Sequence, residues 1–159
     1  MSTSSKIKSL EDLAVICRGC HNTRVVHCHG CFDLLHLGHI RYFQEAKTFG
    51  DLLIVTVTSD EFVRKGSDRP IFAGHLRIEA IAALECVDYV ALNQWPTAVE
   101  TIKLLKPNVY VKGPECATKK TPGLLAEEMT VLSIGGEIKY TSGEIWSSTD
   151  LINLLRSVQ

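Results

Sequence analysis

Residues 52–58, Leu-Leu-Ile-Val-Thr-Val-Thr, are a near-continuous apolar run rich in β-branched side chains. A strand with one wet face alternates apolar and polar residues, so a run without alternation marks a strand buried on both faces. Such a strand belongs in a parallel sheet with helices above and below it. The surrounding sequence supplies them. Ser9 is a fitting N-cap for a helix over Leu10, Leu13, Ala14, Ile16 and Cys17, which Gly19 ends. A strand over Arg24 to His29 runs into Gly30. A helix from about Leu37 carries Ile40, Phe43, Ala46 and Phe49 on one stripe and stops at Gly50. After the Leu52–Thr58 strand and a loop at Ser67-Asp68-Arg69-Pro70 comes a helix over His75–Cys86, expected to turn Leu76, Ala80, Ala83 and Leu84 inward. Val87–Leu92 reads as a strand. Pro96 opens a helix that runs to Leu105. Val109–Val111 is a strand, Gly113–Gly123 a polar loop, and a helix follows to Ile134. Glu137–Thr141 is the last strand, and Ser147 to about Arg156 the last helix.

Five strands alternating with helices imply right-handed βαβ units. The expected architecture is α/β: one doubly wound, five-stranded, Rossmann-like parallel sheet over residues 24–159, with a helical segment, 1–23, packed on it. The length of 159 residues suits a single domain, and 45% hydrophobic residues exclude wholesale disorder. Seventeen Lys+Arg balance eighteen Asp+Glu for a net charge of -1, which removes the electrostatic argument for a nucleic-acid binder. No apolar run approaches the length of a membrane span, and Met1 to Ser9 lacks the apolar stretch of a secretory signal. The expected compartment is therefore the cytoplasm.

The cysteines stand at 17, 20, 28, 31, 86 and 116. Cys17-Arg18-Gly19-Cys20-His21 has the spacing of a haem attachment. Together with Cys28 and Cys31, and with His21, His27 and His29 nearby, the pairs also suggest a zinc site. Against both, Val25-Val26-His27-Cys28 reads as a buried strand that holds the pairs apart. Buried or incidental thiols are the preferred reading, and no metal ligand is assigned.

In a doubly wound sheet, ligands bind beyond the carboxyl ends of the strands. The loops so placed are 30–39, 58–69, 112–123 and 142–149. The first reads Gly30-Cys31-Phe32-Asp33-Leu34-Leu35-His36-Leu37-Gly38-His39. His36 and His39 are three apart where a helix begins, so their rings share a face. Helix N-termini present free N–H groups and a positive dipole end to phosphate. Gly38, without a Cβ, admits phosphate close to the backbone.

Gly30-Cys31-Phe32-Asp33 with His36-Leu37-Gly38-His39 resembles the G-x-F-D…H-x-G-H signature of the cytidylyltransferase-like nucleotidyltransferases. The resemblance continues through Gly50-Asp51-Leu52-Leu53-Ile54-Val55, Thr58-Ser59-Asp60, Leu84-Glu85-Cys86-Val87-Asp88, Lys106-Pro107-Asn108, Val111-Lys112-Gly113 and Ser147-Ser148-Thr149, covering about residues 24–156. It implies nucleotidyl transfer: an acceptor oxygen attacks the α-phosphorus of a nucleoside triphosphate, and pyrophosphate leaves. It also implies that His36 and His39 stabilise the transition state and that Lys65, in the loop after the second strand, clamps phosphate. Cys31 and Phe32 bring backbone to the nucleotide, with Gly30, Asp33 and Gly38 in the same turn. Lys112 and Gly113 serve base and ribose, Ser147, Ser148 and Thr149 hold the triphosphate, and Mg²⁺ accompanies it. Arg77 resembles a family arginine; it either reaches phosphate or pairs with Glu79 or Asp88, and the sequence leaves both open.

Departures narrow the branch. Where a glycerol-phosphate branch has an arginine before its C/Y-V-D segment, this chain has Glu85, and Ser142-Gly143-Glu144-Ile145-Trp146 carries no arginine. The segments around Cys86 and Lys112 look more like the heptose-1-phosphate nucleotidyltransferase branch. Even there, Pro114-Glu115-Cys116 replaces G-D-Y, and Cys28-His29 replaces the more common T-N. His29, aimed at the site, is a candidate for acceptor contact. The expected activity is transfer of CMP or AMP to a small phosphorylated acceptor such as a sugar 1-phosphate. The alternatives are a cytidylyltransferase for a small phosphonate such as 2-hydroxyethylphosphonate, a non-catalytic nucleotide-binding module, and a thiol-ligated metal protein. The partners implied are small molecules, with no nucleic acid and no membrane; a homodimer is compatible with the resemblance, though no residue demands one.

Overall fold

The computed structural model describes residues 2–145 and 147–157; Met1, Trp146, Val158 and Gln159 lie outside the described residues. The elements run α1 (Thr3–Lys6), α2 (Leu10–Gly19), β1 (Val25–Gly30), α3 (Leu37–Lys47), β2 (Leu52–Thr58), α4 (Gly74–Ala82) and β3 (Tyr89–Asn93). They continue with α5 (Val99–Leu105), β4 (Val109–Lys112), α6 (Glu115–Thr118), α7 (Pro122–Ser133), β5 (Glu137–Tyr140) and α8 (Ser148–Arg156). The sheet order is β3-β2-β1-β4-β5, and every pairing is parallel. The winding reverses between β1 and β4, and a crevice opens there beyond the strand ends.

Strand periodicity divides the core. Val26, Cys28, Leu53, Val55 and Val57 face α3 and α4, where they meet Phe43, Ala46, Ile78 and Ile81. On the other face Val25 and Ile54 meet Leu10, Leu13 and Ala14 of α2 and Leu105 of α5, while Tyr110 meets Ile102 and Val131. The Ser9 side chain accepts from the Asp12 N–H at 3.0 Å, a cap that contributes about 1 kcal/mol. Cys17 and Cys20 pack on the α2 face, and burial with the neighbouring Cys20 pushes Cys17 up to about 11. Cys28 points to the opposite face, where burial pushes its thiol up to about 12.

Several expected boundaries move. The segment before Ser9 holds the short helix α1, Ile7 bridges to Val90, and the Lys8 N–H donates to the Val90 carbonyl at 3.0 Å, covering the β3 edge. Pro96 does not open α5, which begins at Val99; instead the Asn93 amide donates to the Thr97 carbonyl at 3.0 Å and organises a turn first. The 113–123 loop contains α6, and α7 already begins at Pro122. Strand β3 starts at Tyr89 rather than Val87, because the Asp88 carboxylate takes the Leu53 N–H at 2.6 Å where a ladder bond would otherwise begin.

The largest correction is in α4. It ends at Ala82, not Cys86, and its inward face is Gly74, Arg77, Ile78, Ile81 and Ala82. Leu76 is 44% exposed, and Ala80 and Ala83 are exposed as well; of the expected set only Leu84 packs against the core. A hydrophobic stripe drawn through α4 naturally avoids Arg77, yet Arg77 is 2% exposed. Its buried hydrogen bonds, described below, set the helix's rotation.

Candidate active site

The turn after β1 is built around Phe32, which has a left-handed backbone (φ 47°). A non-glycine residue in that region costs of order 1 kcal/mol or more and persists where the surroundings over-determine it. Here the Phe32 ring folds back beneath Gly30, where a Cβ would stand 2.8 Å from its Cζ. The ring packs at 4.9 Å on Phe43 and edge-on at 5.2 Å on His39. Gly30 and Phe32 therefore act together to deliver the chain to α3 in the right direction.

At that helix start the His36 and His39 rings stack with centroids 3.8 Å apart and an interplanar angle of 21°. His36 is the N-cap residue, yet its side chain makes no capping bond. Both ring nitrogens of His36 and the Nδ1 of His39 are buried without a hydrogen-bond partner. Buried polar atoms are ordinarily satisfied, so an unpartnered cluster at a helix N-terminus marks a place for a polar ligand. Burial lowers His36, with help from the Lys65 ammonium. Burial, the neighbouring His36 and Lys65 hold His39 down to about 3. Both rings are thus neutral at neutral pH.

The cleft brings together His29, Gly30, Cys31, Phe32, His36, Gly38, His39, Lys65, Lys112 and Gly113, all singled out in the sequence. Lys112 Nζ donates to the His29 carbonyl at 3.1 Å and stands 3.8 Å from Glu127 Oε2. Glu127 is itself held by the Ala98 N–H at 2.9 Å and the Tyr110 hydroxyl at 2.8 Å. This buried carboxylate on α7 fixes a lysine on the far side of the sheet's end.

Other expected residues lie outside the cleft lining. Asp33 is 2% exposed and accepts from the Ile71 N–H at 2.7 Å, the Phe72 N–H at 3.2 Å and the Arg69 Nε. Burial pushes its carboxyl up, but Arg69 and the two N–H groups outweigh this and hold it below the ordinary carboxylate range. Asp33 thus braces the loop after β2. Arg77 pairs with neither Glu79 nor Asp88. Its Nε donates to the Phe72 carbonyl at 2.9 Å, Nη1 to the Cys31 carbonyl at 2.6 Å, and Nη2 to the Thr58 carbonyl at 2.8 Å and Asp60 Oδ1 at 2.6 Å. With four donor contacts engaged it ties the loop after β1 to both ends of the loop after β2. Ser147 caps α8 by accepting from the Asp150 N–H at 3.3 Å. Ser148 donates to the Leu34 carbonyl at 2.9 Å, and Thr149 Oγ1 lies 3.4 Å from Arg69 Nη1. None of these five is in the cleft lining described above.

The cleft also holds residues for which no site role was expected: Arg41, Tyr42 and Glu45 on α3, Thr141 just beyond β5, and, within the expected loops 112–123 and 142–149, Glu115, Cys116, Gly143, Glu144 and Ile145. Gly38, Arg41, Tyr42 and Glu45 follow helical spacing along the face that His39 begins; that signal was readable beside the apolar stripe. The 142–145 loop lies over α3 because Glu45 accepts from the Ser142 N–H at 3.0 Å and Arg41 stands 3.8 Å from Glu144.

Buried histidines give the fold an acid limit. Burial, with a smaller contribution from His29, lowers His27 to about 3; burial, with Lys112, does the same to His29. Unfolded imidazoles titrate near 6.5, so below that pH the unfolded chain binds protons that the fold refuses. Stability is therefore full above about pH 6.5 and falls as pH drops toward 3. Each histidine adds a slope of about 1.4 kcal/mol per pH unit, and His39 acts in the same direction. Urea unfolding at pH 7 and pH 5 should show uptake of about two or more protons; equal stabilities would contradict the neutral, buried histidines.

The five-stranded parallel sheet and its winding, with the stacked imidazole pair at the start of α3, make an α/β fold of the nucleotidyltransferase type. The cytidylyltransferase-like family model matches residues 27–153, and the chain belongs to the cytidylyltransferase-like family. Among its relatives, the bifunctional protein HldE of Geotalea uraniireducens is 39% identical over 162 residues, which cover 98% of this chain and 32% of that protein. The bifunctional protein HldE of Helicobacter hepaticus is 41% identical over 157 residues, covering 98% of this chain and 30% of that one. The chain thus spans about a third of the length of these curated relatives. A lipopolysaccharide core biosynthesis protein from Thermoplasma volcanium superposes with a TM-score of 0.65 at 29% identity, over 78% of this chain and 100% of that one. Pantoate-beta-alanine ligase from Francisella tularensis shares the fold, with a TM-score of 0.61 at 16% identity over 94% of this chain and 76% of that one. Among the described residues no helix is long and apolar enough to cross a membrane.

Proposed function

We propose that this chain transfers CMP or AMP from a nucleoside triphosphate to a small phosphorylated acceptor, a sugar 1-phosphate, releasing pyrophosphate. The observation that carries this reading is the stacked pair His36 and His39, with unpartnered nitrogens, at the N-terminus of α3 and facing Lys65. An acceptor phosphate oxygen bonds to the α-phosphorus as the bond to the pyrophosphate oxygen breaks. No enzyme nucleophile is required, so the protein's work is positioning and charge stabilisation. His36 and His39 donate hydrogen bonds where negative charge builds. Their neutrality leaves them able to take up a proton as a phosphate approaches. The sugar 1-phosphate assignment draws support from the HldE relatives and from the neighbour described as a lipopolysaccharide core biosynthesis protein.

Magnesium fits this cleft as an ion carried by the triphosphate. Among the described residues no group of three acidic, histidine or cysteine side chains is placed to hold a resident metal. Mg²⁺ keeps several waters and takes phosphate oxygens with one or two carboxylates, and Glu45, Glu115 and Glu144 are the carboxylates within the lining. When bound it would neutralise triphosphate charge.

Pyrophosphate release measured with the four triphosphates against sugar 1-phosphates, glycerol 3-phosphate and 2-hydroxyethylphosphonate tests the proposal. Release should require a sugar 1-phosphate and ATP or CTP. Release only with the phosphonate would reassign the acceptor, and triphosphate binding without turnover would make the chain a binding module. In the same assay, Lys65→Ala should lower kcat by about one to two orders of magnitude, because a lost charge-stabilising donor acts on the transition state. A raised KM with kcat intact would make Lys65 a binding residue only.

A further inference from the structure

The buried polar row beneath the cleft has no part in the chemistry described so far. His27 and His29 are adjacent same-face residues of β1, and Thr56 is the register partner of His29 on β2. All three are buried. The Thr56 hydroxyl stands between the two rings, 2.8 Å from His27 Nε2 and 2.9 Å from His29 Nδ1. A hydroxyl carries one proton, so it cannot donate to both nitrogens, and at least one ring must donate to it. His27 Nδ1 settles which ring does. That nitrogen is buried without a partner beside the Tyr110 ring, at 5.2 Å between centroids. An orphaned buried N–H is rarer and more costly than an orphaned lone pair. His27 therefore carries its proton on Nε2 and donates it to Thr56. Were Thr56 to accept from both rings, its own buried proton would have no acceptor, since the two imidazoles are the hydroxyl's partners among the described residues; it is therefore donated to His29 Nδ1, and the proton of His29 sits on Nε2.

With Nδ1 turned to Thr56, Nε2 is the remaining polar atom of a ring that lines the cleft, and its nearest protein partner, Thr58 Oγ1, is a marginal 3.5 Å away. Burial and Lys112 lower His29 to about 3, so this donor is neutral. We infer that Thr56 and His27 are positioning residues that lock His29 as a neutral Nε2–H donor, which hydrogen-bonds an oxygen of the phosphorylated acceptor in the cleft. A neutral donor orients that oxygen without withdrawing the charge a phosphate nucleophile needs. The acceptor half of this inference rests on the nucleotidyl-transfer reading; the tautomer half does not.

The test pairs a spectroscopic and a kinetic readout. In ¹⁵N-histidine NMR of the unliganded protein at pH 7, His29 should show the neutral Nε2–H pattern. Thr56→Val, nearly isosteric, should let it populate Nδ1–H, and Thr56→Ser should restore the original pattern. An Nδ1–H or protonated His29 in the wild type would overturn the lock. With the most active sugar 1-phosphate of the panel, Thr56→Val should raise the acceptor KM about tenfold and leave the triphosphate KM unchanged, the cost of one misdirected hydrogen bond. Thr56→Ser should recover the wild-type value. An unchanged acceptor KM, or equal rises for both substrates, would remove Thr56 from acceptor recognition. Wild-type protein inert toward every acceptor would sink the transfer reading and the acceptor contact with it, whereas the NMR pattern would still decide the lock.

Discussion

Replacing His39 with alanine is expected to lower turnover by about 10²–10³ while the protein stays folded. The expectation rests on position. His39 stacks at 3.8 Å on His36, and its Nδ1 is buried without a hydrogen-bond partner among the described residues. On the nucleotidyl-transfer proposal, removing the ring deletes a donor to developing charge, while the Leu34 carbonyl keeps its bond from Ser148. The edge contact with Phe32 is also lost, so some stability goes, of order 1 kcal/mol. Turnover measured at saturating triphosphate and acceptor, with circular dichroism as the folding control, checks this. Near wild-type turnover would take His39 out of the mechanism. His36→Ala should fall in the same range, and the double variant should lose less than the product of the two, since the rings serve one charge.

Arg77→Ala should instead fail through the fold. The guanidinium is buried and makes four hydrogen bonds, three of them to carbonyls of Cys31, Thr58 and Phe72. Truncation strands these acceptors and opens a cavity, while Asp60, 49% exposed, recovers solvation. The expected loss is about 3 kcal/mol or more, read as a lower urea midpoint. Arg77→Lys should recover little, because a single ammonium cannot reach a fork of four acceptors. The surviving folded fraction should lose activity as well, since the Cys31 and Thr58 carbonyls mark the ends of two site-forming strands. Unchanged stability with abolished turnover would return Arg77 to direct substrate contact.

These two residues also separate what was legible in sequence from what was not. The histidine pair was readable because a helix start and a spacing of three place two rings on one face, and that geometry is local. Arg77 was not, because its partners come from positions 31, 58, 60 and 72 and meet only after the sheet has formed. For the same reason the inward face of α4 was misplaced: the hydrophobic stripe ignores a buried cation whose hydrogen bonds are supplied by other loops. Asp33 was legible as a motif residue, but its bonds to Arg69, Ile71 and Phe72 were not.

The residues by themselves determined the five strands, their parallel packing and the loop that carries His36 and His39. Each depends on periodicity or on contacts within one turn of the chain. The tertiary structure decided which polar residues face the cleft and which lie outside its lining. It also decided that Glu45 draws the 142–145 loop over α3 and that Thr56 falls between two imidazoles. Those outcomes depend on the satisfaction of buried donors and acceptors between segments far apart in sequence. No local pattern encodes them, because a buried polar group is satisfied by whichever partner the whole fold brings within reach.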